Sequence, residues 1–487
     1  MGITKEYKKH ASLQSNKIAI KENDRVLTYK EWFESVCKVA NWLNEKESKN
    51  KTIAIVLENR MEFLELFAGA AMAGWVCVPL DIKWKKDELK ERIVISNPDM
   101  VVTERYKLND ISGEEGRVIV IDEWKRMIEN YLPTDATAEN VQNTPFYMGF
   151  TSGSTGKAKA FLRAQQSWVH SFDCNVQDFH MKKEDSIIIA GTLVHSLFLY
   201  GAISALYVGQ TVHIMRKFIP NQVLDKLETE NISVMYTVPT MLESLYKENR
   251  VIENKMKIIS SGAKWEAEAK EKIKSIFPCA KKYEFYGASE LSFVTALVDE
   301  EGDRKPNSVG KPCHNVKVRI CSEAGEEVQT GEIGTVYVKS DQFFIGYIMD
   351  GVLVPELTVD GWMTVRDVGY QDEEGFIYIV GREKNMILFG GINIFPEEIE
   401  SVVQTHPAVD EIVVVGVEDS YWGEKPVAIV KGSATKQQLK SFCLHQLSSF
   451  KIPKEWHFVD EIPYTNSGKI ARVAAKSMIE NREKIYE

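Results

Sequence analysis

The sequence lacks the patterns that mark several classes of protein. Its seven cysteines are scattered, odd in number and never in a CxxC pair, which indicates free thiols in a reducing compartment and no zinc site. Its longest uncharged apolar run, residues 66–80, is shorter than the roughly 20 residues of a spanning helix and contains glycine and proline. The N-terminal residues carry charges with no apolar stretch behind them, so no signal peptide is predicted. We therefore expect a cytoplasmic protein with no membrane span.

An excess of positive charge is also missing. The formal net charge is -10 at pH 7, whereas a surface for nucleic acid or an anionic membrane needs basic residues that neutralise phosphates. The sequence thus predicts no nucleic-acid partner and leaves the local binding of small anions open. With 487 residues, 44% hydrophobic and 27% charged, the chain has a globular composition. Its length suffices for two or more cores, since one domain usually takes about 150 residues.

Hydrophobic patterning divides the chain into three parts. Up to about residue 290, short β-branched runs such as 51–58 and 232–239 alternate with amphipathic helical patterns, which predicts crossover helices over a largely parallel sheet. From about Asn307, strand patterns separated by glycine and acidic turns predict an antiparallel or barrel-like part. After Lys384, helical and strand patterns predict a small separate α+β domain. The predicted fold class is α/β.

The stretch GFTSGSTGKAKA, residues 149–160, is rich in Gly, Ser, Thr and Lys. It fails the Walker phosphate-loop pattern twice, because Thr151 stands where the first glycine is needed and Ala158 follows Lys157. The physics of phosphate binding is nevertheless available, since glycines let backbone N–H groups turn toward an anion and a lysine adds charge. A plain surface loop is the alternative reading of this composition.

Further polar motifs follow this stretch in the sequence. Asp367 can accept hydrogen bonds from ribose hydroxyls, and Arg382 can donate to ribose or phosphate. Each motif is weak alone, because surface Asp, Arg and Lys are common. The motifs are YEFYGASE (283–290), GWMTVRDVGY (361–370), GREKNMILFGGINIFPEEIE (381–400) and PYTNSGKIAR (463–472).

In this order and spacing, the motifs resemble those of the adenylate-forming superfamily, which includes acyl-CoA synthetases and the adenylation domains of peptide synthetases. The resemblance runs from about Leu27 to Arg472. It implies a large N-terminal domain, residues 1–383, with parallel α/β subdomains and a β-barrel-like subdomain. A small mobile α+β lid would follow, residues 384–487, with its hinge near Lys384. The implied reaction joins an acid to AMP from ATP, releases pyrophosphate, and passes the acyl group to a thiol.

The resemblance also implies site residues. Loop 151–157 would hold the β and γ phosphates, Thr151 and Glu290 would place Mg²⁺, and Tyr286 would stack on adenine. The residues implied to be catalytic are Lys469, which would bridge the substrate carboxylate and ATP, together with His195, Glu290 and Thr151. Ser289 would lie near the α-phosphate, and Asp367 and Arg382 match the ribose-binding pair. The implied cofactor-binding residues are Thr151, Ser152, Gly153, Ser154, Thr155, Gly156, Lys157, Gly262, Ala263, Glu284, Phe285, Tyr286, Gly287, Ser289, Asp367, Arg382, Lys384, Gly390 and Gly391.

The chain departs from the family pattern at two places. The loop usually ends in Lys-Pro-Lys-Gly, whereas Ala158 and Ala160 replace the proline and the glycine here. The usual Thr-Gly before the ribose aspartate is replaced by Val365 and Arg366. Both changes bear on ATP affinity, and they keep open a different class of function, an inactive paralogue that binds nucleotide or acyl groups.

The predicted substrate region indicates the class of acid that is activated but not the particular acid. Residues 191–209 contain no acidic side chain that could pair with an amino acid's ammonium group, so an α-amino acid is disfavoured. His195 resembles the histidine that many acyl- and aryl-CoA synthetases carry beside the substrate carboxylate, and the apolar residues around it suit an apolar tail. We expect a fatty acid, with an aromatic, succinylbenzoate-like acid as the alternative. Coenzyme A is the expected acceptor, and an acyl carrier protein is the alternative. The resemblance implies that residues 389–393 line the pantetheine tunnel in the thiolating conformation.

Overall fold

Strands and helices alternate along the chain as the hydrophobic patterning predicts. The computed structural model describes residues 2–111, 117–139, 143–152, 158–261, 267–356, 359–390, 392–419, 421–464 and 470–486. The helices are α1 (Tyr7–Leu13), α2 (Tyr29–Asn44), α3 (Met61–Met72), α4 (Lys86–Ser96), α5 (Ile121–Ile128), α6 (Gln165–Gln177), α7 (Ser196–Val208), α8 (Pro220–Thr229), α9 (Pro239–Tyr246), α10 (Ala267–Ile276), α11 (Asp299–Arg304), α12 (Pro396–Val403), α13 (Lys436–Leu444) and α14 (Arg472–Tyr486).

The strands are mostly short, and several are buried along their whole length. They are β1 (Ile18–Glu22), β2 (Arg25–Thr28), β3 (Thr52–Val56), β4 (Val76–Pro79), β5 (Met100–Thr103), β6 (Val118–Val120), β7 (Pro145–Ser152), β8 (Ala158–Ala164), β9 (Ser186–Ile189), β10 (Thr211–Ile214), β11 (Val234–Thr237), β12 (Lys257–Ser260), β13 (Lys281–Ala288), β14 (Ser292–Val298), β15 (Lys311–Pro312), β16 (Lys317–Cys321), β17 (Gly334–Lys339), β18 (Gly346–Met349), β19 (Val352–Val354), β20 (Asp367–Gln371), β21 (Ile377–Arg382), β22 (Ile387–Phe389), β23 (Ile392–Ile394), β24 (Val409–Asp419), β25 (Gly423–Gly432) and β26 (Glu455–Phe458).

Two large sheets lie in the first of two compact units, which comprises Met1–Thr151, Ala158–Val318 and Val338–Met363. One has the strand order β15-β14-β13-β12-β11-β9-β10-β1-β2, and the other has the order β19-β18-β8-β7-β4-β3-β5-β6. Their central strands pair in parallel, and antiparallel strands lie toward their edges. Strands β3, β9 and β11 are buried at every residue, as expected where both faces of a parallel sheet are covered. The predicted, largely parallel α/β architecture is confirmed.

Helix α3 carries two buried carboxylates that face different surroundings. Glu62 accepts hydrogen bonds from Arg25 Nη2 at 2.6 Å and Arg60 Nε at 2.8 Å, and it also pairs with Lys125. Burial opposes ionisation of Glu62, yet these cations lower its pKa to about 2. Burial instead raises the pKa of Glu65 to about 7, because its main partner is the Ser35 hydroxyl, which donates at 2.7 Å. As pH rises, ionisation of Glu62 therefore stabilises the fold, whereas ionisation of Glu65 destabilises it.

Replacing Glu65 with glutamine is expected to stabilise the fold by about 3 kcal/mol at pH 8 and by about 1 kcal/mol at pH 5. The folded-state pKa of Glu65 lies above its ordinary value. The unfolded chain therefore loses this proton first as pH rises, and the penalty on folding is complete above about pH 7. Urea unfolding of both proteins at the two pH values measures the effect. Equal stabilisation at pH 5 and pH 8 would contradict this assignment, and Glu62→Gln serves as the control that should destabilise at both.

The second compact unit comprises Ser152–Lys157, Arg319–Tyr337 and Thr364–Glu487. The antiparallel sheet β16-β17-β20-β21 falls largely within it, as the turn-rich sequence after residue 307 predicts. The other sheet runs β23-β22-β25-β24, with β26 beside β25. Strand β24 alternates its side chains between two cores, so Val414 packs with helices α12 and α13 while Val413 and Val415 pack with α14. The predicted small α+β part is thus present, and the boundary at residue 384 stays a prediction.

No helix in the described part of the chain is both long enough and apolar enough to cross a membrane.

Candidate functional site

Two of the predicted nucleotide-binding segments lie side by side in the first unit. Strands β12 and β13 are parallel neighbours, with Ser260 opposite Glu284, so both run toward the edge of the sheet where α/β proteins bind ligands. Just past β12, the Ser261 hydroxyl donates to the backbone oxygen of Phe285 at 3.1 Å. Glu284 pairs with Lys270 Nζ at 2.6 Å. The structure therefore brings Ser260 and Ser261 against the motif YEFYGASE. Gly262 and Ala263, which follow them in the chain, lie outside the described residues.

Most of the motif YEFYGASE belongs to a strand. Its residues up to Ala288 belong to β13, which pairs antiparallel with β14 and shifts register between Tyr286 and Gly287. A β-carbon built on Gly287 would lie 2.0 Å from the backbone oxygen of Ser292, so the two strands approach too closely there for any other residue. Only Ser289 and Glu290 stand beyond the strand end. Antiparallel pairing, which the motif does not encode, extends the strand.

Glu290, the predicted magnesium ligand, is half-buried beyond the end of β13 and held at two points. Tyr347 Oη donates to its Oε1 at 2.5 Å, and its backbone oxygen accepts from the Phe344 N–H at 2.8 Å. Its carboxylate is thus oriented before any ligand arrives. Thr151, its predicted partner, is half-buried near the end of β7.

A buried arginine, which the sequence analysis missed, supports this segment. Arg163, in β8, is 2% exposed, and its Nη1 donates to the backbone oxygen of Ser289 at 2.6 Å. Its Nη2 donates to Ser292 Oγ at 2.9 Å and to the backbone oxygen of Gln342. Burial lowers the pKa of this guanidinium to about 10, so it still carries its charge at neutral pH. The residue stands in an ordinary apolar strand pattern, and no motif marks it.

The glycine-rich loop is described only at its two ends. Strand β7 ends at Ser152, β8 begins at Ala158, and the two strands are neighbours in the sheet. Ala160, where the family has a flexible glycine, is fully buried in β8 opposite Ile348 of β18. An alanine suits this strand position. The predicted phosphate-binding residues Gly153, Ser154, Thr155, Gly156 and Lys157 lie outside the described residues.

The predicted ribose-binding pair is assembled in the second unit. Asp367 and Arg382 lie opposite each other on the antiparallel strands β20 and β21. Arg382 Nε donates to Asp367 Oδ1 at 2.9 Å, with the carboxylate 4% exposed and the arginine side chain 46% exposed. The carboxylate is therefore fixed, while the guanidinium retains donors that face solvent.

The departure at Arg366 occupies a strained backbone position. Its φ is 61°, in the left-handed region that favours glycine. The side chain is 72% exposed, with Nη1 3.5 Å from Glu383 Oε1. The backbone at this position is left-handed, which explains why a glycine is usual there in the family. This chain adopts the same conformation with an arginine.

Replacing Arg366 with glycine is expected to stabilise the fold by about 0.5–1 kcal/mol. Relief of left-handed strain, worth about 1–2 kcal/mol, outweighs the greater chain entropy of glycine when unfolded, and the exposed ion pair with Glu383 contributes little. Thermal or urea unfolding measures the change. Arg366→Ala, which removes the guanidinium and keeps the β-carbon, should bring no gain. Stabilisation by alanine equal to that by glycine would show that the backbone is not strained.

The remaining predicted site residues have simpler surroundings. His195 is exposed and is the N-cap residue of α7, where its backbone oxygen accepts from the N–H groups of Phe198 and Leu199. Lys384 is exposed in a 3₁₀ turn of the second unit. Gly390, with φ 56°, directly follows β22, and a β-carbon there would lie 2.8 Å from the Trp422 ring. Gly391 lies outside the described residues.

Lys469 also lies outside the described residues, but the chain on both sides of it is anchored. Tyr464 and Ile470 pair as an antiparallel bridge. Arg472, at the start of α14, donates from Nη2 to Glu400 at 2.5 Å and from Nη1 to the backbone oxygen of Val414 at 2.6 Å. The motif PYTNSGKIAR therefore starts and ends on fixed points of the second unit.

Comparison with known proteins gives matches over most of the chain. The profile of the family described as AMP-binding enzyme matches residues 7–348, and that of the AMP-binding enzyme C-terminal domain matches residues 398–469. The chain is 46% identical over 480 residues to an uncharacterized acyl-CoA ligase, YhfT, of Bacillus subtilis (strain 168), with 99% of each chain covered. It is 28% identical over 486 residues to a putative long chain fatty acid-CoA ligase, VraA, of Staphylococcus aureus (strain COL), with 98% of each covered.

A solved structure shares the same architecture. The o-succinylbenzoate CoA synthetase (MenE) of Bacillus subtilis, in complex with the acyl-adenylate intermediate OSB-AMP, superposes with a TM-score of 0.86 at 26% identity, covering 96% of this chain and 97% of that one. The chain therefore belongs to the AMP-binding enzyme family, in the acyl-CoA synthetase branch of the adenylate-forming superfamily that its motifs resemble.

Proposed function

We propose that this AMP-forming CoA ligase activates a fatty acid. The observation that carries the proposal is the segment at residues 191–209, which contains no acidic side chain and forms the apolar helix α7. A free amino acid would leave its ammonium group without a partner beside such a helix, which is costly. The relative described as a putative long chain fatty acid-CoA ligase supports the same substrate class.

The proposed reaction proceeds in two steps, adenylation of the acid and transfer of the acyl group to coenzyme A. A carboxylate oxygen of the acid attacks the α-phosphorus of ATP, the bond to the bridging oxygen breaks, and pyrophosphate leaves. The thiol of coenzyme A then loses its proton and attacks the acyl carbon, and AMP leaves. The protein forms no covalent bond in either step, so positioning and charge neutralisation supply the catalysis.

The predicted site residues would supply the chemistry that the first step requires. Asp367 would accept from the ribose hydroxyls, Arg382 would donate to ribose or phosphate, and Tyr286 would stack on adenine. Ser289 would offer its hydroxyl near the α-phosphate, and Arg163 holds that residue through its backbone oxygen. Lys469 would neutralise charge between the acid and ATP, and His195 would lie beside the carboxylate.

The oxygen ligands at Glu290 and Thr151 fit Mg²⁺, a hard cation that prefers carboxylate and hydroxyl oxygen together with phosphate. The Glu290 carboxylate is half-buried and already oriented by Tyr347, which lowers the cost of arranging it around a cation. When bound, Mg²⁺ supplies neutralisation of the phosphate charge. Glu290 and Thr151 would hold it there.

We propose coenzyme A as the acceptor and an acyl carrier protein as the alternative acceptor. The run at residues 389–393 would line the tunnel for its pantetheine arm, as the family resemblance implies, and Gly390 in this run packs closely against the Trp422 ring. We also propose that the enzyme works in the cytoplasm. Cys279 is an exposed free thiol, and such a residue suits a reducing compartment.

A panel of acids tests the substrate proposal. The full chain is incubated with ATP, Mg²⁺, coenzyme A and one acid at a time, and AMP and the CoA thioester are measured. Fatty acids of medium and long chain are expected to give the highest kcat/KM. Preference for 2-succinylbenzoate or another aryl acid would overturn the fatty-acid assignment in favour of the aryl-acid reading, which the similarity to MenE supports. A thioester formed only on an acyl carrier protein would overturn the choice of acceptor.

A further inference from the structure

Two cysteines that are far apart in the sequence meet at the end of helix α6. Cys174 lies in α6, Asp178 is the C-cap residue of the same helix, and Cys313 directly follows β15. The sulfur atoms of Cys174 and Cys313 and a carboxylate oxygen of Asp178 all lie within 4.8 Å of one another. Cys174 is fully buried, Cys313 is 2% exposed, and Asp178 is half-buried. Three groups of metal-ligand type therefore converge at one place, within the first compact unit.

A histidine orients the carboxylate of this cluster. Asp178 Oδ2 lies 3.0 Å from His314 Nδ1, and Asp178 Oδ1 accepts from the His314 backbone N–H at 3.2 Å. The His314 side chain is 38% exposed, so the cluster has one side that reaches solvent. Carboxylate and imidazole in contact beside a metal form a common supporting arrangement, in which one group ligates and the other fixes its direction.

Polar groups also surround the sulfur of Cys174. Gln342 Nε2 lies 3.3 Å from that sulfur and 2.7 Å from Asn315 Oδ1, and Asn315 Oδ1 is 3.4 Å from the same sulfur. Gln342 is fully buried, yet its Oε1 has no hydrogen-bond partner among the described residues. A buried amide oxygen that accepts no hydrogen bond costs about 1–3 kcal/mol, and here it belongs to the side chain that contacts the Cys174 sulfur.

We propose that Cys174, Cys313 and Asp178 bind a divalent cation of the zinc class. Two soft sulfur ligands and one oxygen select a borderline cation over Mg²⁺, which prefers oxygen alone. Each thiol gives its proton to solvent as it becomes a thiolate ligand, so the two thiolates and the carboxylate together bring three negative charges to the two positive charges of the cation.

Titration with Co²⁺ tests the proposal on the full chain, kept anaerobic with a non-chelating reductant. One equivalent of Co²⁺ is expected to give the near-ultraviolet thiolate-to-metal charge-transfer band and the visible bands of tetrahedral coordination, both abolished by added Zn²⁺. Cys279→Ser, which removes the exposed cysteine, is the matched control and should leave the bands unchanged. C174S and C313S should each remove most of the charge-transfer band. Bands that persist in both variants, or that disappear in Cys279→Ser, would overturn the proposal.

A second measurement needs no substitution, in case a cysteine variant fails to fold. The wild-type chain is alkylated with a maleimide, with and without Zn²⁺, and the modified cysteines are identified by mass spectrometry. Zn²⁺ is expected to slow the modification of Cys174 and Cys313 at least tenfold and to leave Cys279 unchanged. Equal rates with and without Zn²⁺ at the two buried cysteines would overturn the proposal, as would protection of Cys279 alone.

Discussion

Replacing Lys469 with alanine is expected to lower the rate of acyl-adenylate formation by about 10²–10³ and to leave thioester formation from added acyl-adenylate nearly unchanged. In the first half-reaction negative charge from the acid and ATP converges, and one removed cationic donor costs about 3–4 kcal/mol of transition-state stabilisation. In the second half-reaction the thiol attacks an adenylate that is already formed, so this charge no longer needs neutralising.

The two half-reactions are measured separately in rapid-quench experiments, the first without coenzyme A and the second with synthetic acyl-adenylate. Lys436→Ala is the matched control, because Lys436 is an exposed lysine in the same unit, at the start of α13, and should affect neither rate. Equal loss in both half-reactions would contradict a lid that uses Lys469 only for adenylation.

Replacing Glu290 with glutamine is expected to lower kcat/KM for adenylation by about 10²–10³ and to raise the Mg²⁺ concentration needed for half-maximal rate. Glutamine keeps the shape of the side chain, and its amide oxygen can still accept from Tyr347. The change therefore removes mainly the negative charge that would hold the cation.

Tyr347→Phe tests the hydrogen bond that orients Glu290 separately from the charge of the Glu290 carboxylate. This variant removes the hydroxyl that donates to Glu290 at 2.5 Å and keeps the carboxylate. We expect a loss of about tenfold or less, because the net contribution of one hydrogen bond is about 0.5–1.5 kcal/mol. If Glu290→Gln leaves the Mg²⁺ dependence unchanged, Glu290 is not a ligand of the cation, whatever its effect on rate.

The architecture could be predicted from the sequence because the apolar residues that form the patterns are the residues that the fold buries. The runs at 51–58 and 232–239 became the buried parallel strands β3 and β11. The family resemblance pairs Asp367 with Arg382, and in the structure Arg382 Nε lies 2.9 Å from Asp367 Oδ1. Periodicity could not predict where β13 ends, since its length depends on pairing with β14, a strand beyond the motif.

Contacts between distant residues could not be predicted from local patterns. Arg163 stands among apolar strand residues, and only the fold shows that its guanidinium supports Ser289. The same limit applies to Cys174 and Cys313, because the absence of a CxxC pair excludes only sites built from neighbouring cysteines. Arg366 is a different case, in which the sequence marked the unusual residue and the backbone angle supplied the physical reason.

Acid-dependent exchange of labelled pyrophosphate into ATP, measured without coenzyme A, tests the central claim most directly. The account predicts that a fatty acid drives exchange, that no exchange occurs without acid or without Mg²⁺, and that adding coenzyme A converts the exchange into net release of AMP. Binding of ATP with no exchange for any acid would contradict it and would identify the chain as a nucleotide-binding protein without ligase activity.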